Sequence, residues 1–289
     1  MHTTLVEPAH LAAHLSDPSW AVLDCRFDLA HPEWGLGAHG QGHIPGALYA
    51  HLDADLSGPL SPGSGRHPLP AADALAETFS RWGIDAQVQV VAYDQGPGTY
   101  AARLWWLLRY LGHRSVAVLD GGFAAWLQAG LPIESLPASR GARPFVAQLD
   151  TGDVLFTTRE LQQRLEEVER GALVLVDARG AERFRGENET LDPVAGHIPG
   201  ARNHPYTSNL DPAGRFLPAP QLRSLWEHSV AGTEPQRVIS MCGSGVTACH
   251  NLLAMEIAGL PGARLYAGSW SEWIRDPRRP VARGSSEMK

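Results

Sequence analysis

Cysteine is scarce in this 289-residue sequence: Cys25, Cys242 and Cys249 are all there is. An odd, low count excludes a disulfide framework and fits free thiols in a reducing compartment. Met1 to Leu15 has neither a basic region nor a continuous apolar run, so no signal peptide is expected and the cytoplasm is the expected location. No stretch reaches the roughly 20 apolar residues that a membrane span needs. Positive charge is also short. Lys and Arg number 24 against 31 Asp and Glu, a formal net charge of −7 spread without long blocks, which speaks against nucleic acid or an anionic membrane as a partner. Zinc spacing is absent, because Cys242 and Cys249 are followed by no His-x3–5-His pair. Gly96-Pro97-Gly98-Thr99 lacks the Gly-Lys-Ser/Thr ending of a phosphate-binding loop. Neither a metal nor an organic cofactor is expected.

What the chain does contain is itself, twice. Gly-His-Ile-Pro-Gly-Ala occurs at Gly42 to Ala47 and again at Gly196 to Ala201. Before each copy an apolar run ends in Asp-x-Arg, at Asp24-Cys25-Arg26 and Asp177-Ala178-Arg179. After each copy a second apolar run meets a glycine-rich loop, Asp94-Gln95-Gly96-Pro97-Gly98-Thr99 in one half and Cys242-Gly243-Ser244-Gly245-Val246-Thr247 in the other. A fourth pairing sets Leu119-Asp120-Gly121-Gly122 and Trp126 against Leu265-Tyr266-Ala267-Gly268 and Trp273. Four matches in one order, about 150 residues apart, mean a duplicated domain, since solenoid periods are far shorter.

Each half reads as α/β, with short β-branched runs alternating with helical segments and a mostly parallel sheet. Helices are expected at Ala71 to Trp82, Ala101 to Leu111, Thr158 to Arg170 and Ala248 to Ala258, with Asp73 in the first turn of the first and Thr157 or Thr158 capping the third. The expected domains are 1–134 and 151–289. A linker at 135–150 joins them, where Pro137, Ser139, Gly141 and Pro144 interrupt any periodic pattern.

The chemistry points to Cys242. The run Arg237 to Met241 reads as a strand delivering Cys242 to its C-terminal end, where open α/β sheets bind ligands. Gly243, Ser244 and Gly245 allow a tight turn, and a helix begins near Thr247. Successive backbone N–H groups and a helix N-terminus then favour the thiolate and surround it with an anion pocket. Ser244 and Thr247 add hydroxyls to the rim. The first half carries Asp94 at this place. A carboxylate cannot usefully attack divalent sulfur and repels an incoming anion, so the first half reads as catalytically silent. Cys249 reads as a buried hydrophobe and Cys25 as structural. His197, His43 and the two Asp-x-Arg pairs read as architectural because both halves repeat them; Arg185 reads as surface charge.

Asp-x-Arg, Gly-His-Ile-Pro-Gly-Ala, Cys-Gly-Ser-Gly-Val-Thr-Ala and the later Gly268-Ser269-Trp270-x-x-Trp273 together resemble tandem rhodanese-domain sulfurtransferases over nearly the whole chain. The resemblance implies two rhodanese-like domains, each a mostly parallel sheet flanked by helices. It also implies a Cys242 persulfide that carries sulfur from a small-molecule donor to a thiol, to thioredoxin or to cyanide. The loop Cys242 to Thr247 is similar to the 3-mercaptopyruvate version. Thiosulfate-preferring relatives have Arg and Lys where Gly243 and Ser244 stand here, so a donor with one carboxylate is expected. The resemblance further assigns Arg183 to the donor's carboxylate and Gly243, Ser244, Gly245, Val246 and Thr247 to donor binding. It implies a second arginine about nine residues after Arg183. The stretch Thr190-Leu191-Asp192-Pro193 has none, which leaves thiosulfate as a live donor. The same resemblance leaves His43 as a second candidate to face the site. Dual-specificity phosphatases share this loop type, but they need an arginine six positions after the cysteine, and position 248 is Ala. A non-catalytic sulfur-binding or interaction module is the alternative from another class, and it would suit a loop that had lost its cysteine.

Overall fold

The computed structural model describes residues 1–149 and 154–285. The chain forms two compact units. The first holds residues 1–58, 69–150 and 212–216; the second holds 59–68, 151–211 and 217–289.

In the first unit, strands β1 (Leu5–Val6), β2 (Trp20–Asp24), β3 (Leu48–Tyr49), β4 (Gln89–Tyr93) and β5 (Val116–Leu119) form a five-stranded sheet in the order β1-β5-β4-β2-β3, every pair parallel. In the second, β6 (Val174–Asp177), β7 (Arg202–Asn203), β8 (Val238–Met241) and β9 (Arg264–Leu265) form a parallel sheet in the order β7-β6-β8-β9. The central strands β4, β5, β6 and β8 are buried along their whole length, as a parallel sheet covered on both faces requires. Their continuous apolar runs therefore carry no alternation.

Helices follow the expected positions to within a residue or so: Ala72–Arg81, Ala101–Tyr110 and Thr247–Ile257. The third expected helix divides into Thr158–Gln163 and Leu165–Glu169. At Arg164 the backbone (φ −113°, ψ 17°) leaves the helical region, and its N–H is shared between the carbonyls of Glu160 and Leu161 at 3.0 and 3.3 Å. Its N-terminus carries a capping box, in which Thr157 accepts from the Glu160 N–H while Glu160 reaches back to the Thr157 N–H.

The repeated motifs have one structural explanation. Asp24 holds Arg26, whose Nη2 donates to the Gly42 carbonyl at 2.7 Å. Asp177 holds Arg179, whose Nη2 donates to the Gly196 carbonyl at 2.8 Å. Each Asp-x-Arg thus ties a strand end to the turn that opens Gly-His-Ile-Pro-Gly-Ala. The guanidinium groups lie over the rings of Phe123 (4.2 Å) and Trp270 (4.8 Å). Trp126 and Trp273 are fully buried, and each indole N–H donates to a later proline carbonyl, of Pro132 at 2.8 Å and Pro280 at 2.9 Å.

Candidate active site

Strand β8 ends at Met241, and Cys242 follows with 2% of its surface exposed. The N–H groups of Ser244 and Gly245 point at its sulfur, at 3.4 and 3.1 Å. The turn that aims them needs glycine: Gly245 has φ +79°, and a Cβ there would stand 2.4 Å from the Ala267 carbonyl oxygen. The loop is fixed from the opposite side. The Cys242 N–H donates to Ser269 Oγ at 3.0 Å, the Trp270 N–H to the Cys242 carbonyl at 3.0 Å, and the Ser271 N–H to the Gly243 carbonyl at 2.9 Å. Ser269 sits at φ +54°, a strained conformation held by this bonding. Val246 precedes the helix Thr247–Ile257, which Thr247 opens, so a helix N-terminus lies directly behind the sulfur's loop.

Ser244 has a partner that the motif did not reveal. Its hydroxyl lies 2.7 Å from His67 Nδ1, and both side chains are buried. Next to it, the Arg66 N–H donates to Ser271 Oγ at 3.0 Å. The Arg66 guanidinium reaches over the loop, so that a Cβ on Gly243 would stand 2.7 Å from its Nη2.

Arg183, in the short helix Ala181–Arg185, arrives at the same place, with Nη2 and Nη1 at 3.7 and 3.8 Å from that position. Two acidic side chains hold the pair. Glu189 accepts from Arg183 Nε at 3.0 Å, and Asp192 accepts from Arg183 Nη2 at 3.0 Å and from Arg66 Nη1. Burial resists ionisation of Glu189, but the Arg183 hydrogen bonds and the Leu191 N–H overcome it and hold the carboxyl below its ordinary range. Burial pushes the Asp192 carboxyl up, with Arg66 opposing it. The cation missing from the loop, and from Thr190 to Pro193, is thus supplied by Arg66. Its absence from positions 243 and 244 therefore does not leave the loop with a single cation.

A sequence reading misses Arg66 and His67 because they lie more than a hundred residues from every partner here. One signal was available: Gly65-Arg66 with Pro68 is echoed by Gly214-Arg215 with Pro218 in the second half. The two glycines differ in setting, since Gly214 has φ +77° and open space around it while Gly65 is crowded. A Cβ on Gly65 would meet the Gly268 carbonyl oxygen at 2.7 Å, and one on Gly121 would meet Arg215 Cγ at 3.2 Å.

In the first unit the equivalent loop is filled. The Asp94 carboxylate is fully buried and accepts the N–H groups of Gly96 and Gly98 at 3.0 Å, Tyr100 at 2.8 Å and Ala101 at 3.3 Å. Burial pushes its pKa up against those four donors. Cys25 and Cys249 are buried, with thiols directed to the carbonyls of Leu23 at 3.9 Å and Gly245 at 3.3 Å, and burial pushes the Cys25 thiol well up. His43 and His197 are buried; their Nδ1 atoms bond the carbonyls of His39 and Phe184, and their backbones bridge to Glu134 and Ala282. Arg185 pairs with Glu187 at the surface.

Two parallel-sheet units with one repeated set of ties, and a single cysteine loop, define a duplicated α/β protein with one thiol centre. The Rhodanese-like domain matches residues 7–129 and again 157–276, and the chain belongs to the rhodanese family of sulfurtransferases. It is 50% identical, over 97% of this chain and 98% of the relative, to the probable 3-mercaptopyruvate sulfurtransferase of Pseudomonas aeruginosa. It is 41% identical, over 98% of both chains, to the putative thiosulfate sulfurtransferase SseB of Mycobacterium tuberculosis. Among solved structures it is similar to the 3-mercaptopyruvate sulfurtransferase from Leishmania major, with a TM-score of 0.81 and 31% identity over 95% of this chain and 76% of that one. Among the described residues no helix is long and apolar enough to cross a membrane.

Proposed function

We propose that the protein is a cytoplasmic sulfurtransferase that takes a sulfur atom from 3-mercaptopyruvate or thiosulfate onto Cys242 and passes it to a thiol such as thioredoxin, or to cyanide. The observation that carries this reading is Cys242 Sγ facing two backbone N–H groups beside a pair of guanidinium groups. Arg183 holds the donor's anionic group; Gly243 to Thr247 form the loop around the reacting sulfur. The Cys242 thiolate attacks the donor's outer sulfur and forms an S–S bond. The donor's C–S bond breaks, its electron pair leaving on the enolate of pyruvate, which takes a proton; from thiosulfate the pair leaves on sulfite. Ser244, backed by His67, is the proton source on the leaving side. An acceptor thiolate then attacks the terminal sulfur and returns Cys242 as thiolate, which is ping-pong covalent catalysis.

The domain at 1–134 takes no part in the covalent step, because Asp94 already occupies its own N–H cradle. The alternative preference, for thiosulfate, is favoured by Arg66 standing over Gly243. Mass spectrometry of the intact protein after donor treatment is expected to show one added sulfur on Cys242. Cys242→Ser should abolish turnover; retained turnover by that variant would sink the proposal.

A further inference from the structure

Each glycine-rich loop is tied to the segment behind it by the same two backbone hydrogen bonds. In the first unit the Phe123 N–H donates to the Asp94 carbonyl at 2.8 Å, and the Ala124 N–H to the Gln95 carbonyl at 3.3 Å. In the second the Trp270 N–H donates to the Cys242 carbonyl and the Ser271 N–H to the Gly243 carbonyl, at 3.0 and 2.9 Å. Phe123 and Trp270 also lie under matching arginines, Arg26 and Arg179. This correspondence pairs Gly122 with Ser269, and the backbone agrees, with φ +57° at the first and +54° at the second.

Glycine adopts that left-handed conformation at little cost, whereas a serine there is strained. Among the described residues only Ala231 shares with Ser269 a positive φ without being glycine. The first unit has no room for a side chain, because a Cβ on Gly122 would stand 2.7 Å from the Asp94 carbonyl oxygen. The second unit has the room and puts it to use. Ser269 Oγ donates to the Tyr266 carbonyl at 2.9 Å, which commits its hydrogen, and its oxygen accepts the Cys242 N–H at 3.0 Å. Ser269 is fully buried, so both bonds lie out of bulk water. Gly122 can make no such tie. The third bond therefore belongs to the loop that carries the cysteine, and its donor is the cysteine's own peptide. That peptide sets the direction of the Cys242 Cα–Cβ bond, and with it which N–H groups the sulfur meets, here those of Ser244 and Gly245.

We propose that Ser269 is a positioning residue for the nucleophile: its hydroxyl holds the Cys242 peptide so that the sulfur faces the Ser244 and Gly245 N–H groups, despite a backbone strain that the silent copy avoids with glycine. This rests on the sulfurtransferase reading and adds a residue to the support of that same centre.

The test uses the full chain with Ser269→Gly and Ser269→Ala. Both remove the hydroxyl, but only glycine relieves the strain. Each variant is followed by its urea midpoint, by kcat and KM with 3-mercaptopyruvate, and by the rate at which iodoacetamide alkylates Cys242 at neutral pH, located by peptide mass spectrometry. Ser269→Gly is expected to have the higher urea midpoint of the two; equal midpoints overturn the strain. Both variants should lose kcat about tenfold, the scale of one buried hydrogen bond, with KM unchanged. Alkylation should slow by a similar factor in both, because the thiolate is the reacting form. If Ser269 only holds the fold, kcat follows the urea midpoint, Ser269→Gly stays near the native rate, and the proposal is overturned. A loss confined to KM overturns it as well, since the hydroxyl would then act on the donor. Should Ser269→Ala fail to fold, Ser269→Gly decides alone, because glycine accepts this backbone. Unchanged alkylation in folded variants overturns the positioning role whether or not sulfur is transferred. A native protein that transfers no sulfur, yet whose Cys242 alkylation slows in both variants, supports the positioning role while removing the sulfurtransferase reading.

Discussion

Around Cys242 each side chain has a definable electrostatic task, and Glu189 is the one with a readable pH signature. Its carboxyl lies below its ordinary value because Arg183 and the Leu191 N–H outweigh the cost of burial. A carboxylate depressed by folding contributes stability that is complete above its unfolded value and is lost as pH falls through the folded value. Glu189→Gln should therefore lower the urea midpoint most above the ordinary glutamate value of 4.5. The difference from the native protein should close as the solution is acidified below it. A gap that widens in acid would contradict this. Cys242 and Arg183 stood out as positions in a motif, whereas Asp192 entered only as part of a stretch without an arginine. The side chains that complete them did not stand out: Arg66 and His67 gain meaning only from where residues 59–68 end up.

Among the elements, the two glycine-rich loops are the instructive pair, since one backbone plan serves opposite ends. In the second unit the N–H groups of the loop surround a reactive sulfur. In the first, four N–H groups close on Asp94, and the carboxylate takes the place that a bound anion would otherwise have. Asp94→Ala leaves those buried donors without an acceptor and should cost about 2–3 kcal/mol of stability. Chemical denaturation should register that loss while kcat/KM stays at the native level. A loss of turnover in a variant that remains folded would show that the first unit is not silent. Strands and helices were well predicted because continuous apolar runs and capping residues act locally. The division at Arg164 was not, because a single shared N–H interrupts a pattern that is helical on both sides. The repeated Asp-x-Arg was legible as a pair, yet its target, a glycine carbonyl, carries no side-chain signal.

On the scale of the whole molecule, the division into units does not follow the division of the sequence. Residues 59–68 belong to the second unit and residues 212–216 to the first. A full chain in which residues 59–68 are replaced by a glycine–serine segment of equal length keeps Cys242, Arg183 and both sheets but lacks Arg66 and His67. Its kcat/KM should fall by about a hundredfold or more, the scale on which a positioned proton donor and a charged contact act together. A variant that is folded by circular dichroism and turns over at the native rate would count against a role for this segment.

The traded segments also bear on synthesis. When the ribosome has made the first 150 residues, the N-terminal unit still lacks residues 212–216, while residues 59–68 wait for a sheet that has not been translated. Arg215 and Phe216, which tie to Asp120 in the finished protein, are among the last pieces the first unit receives. The two traded stretches, residues 59–68 and 212–216, make the completion of each unit wait on chain from the other half.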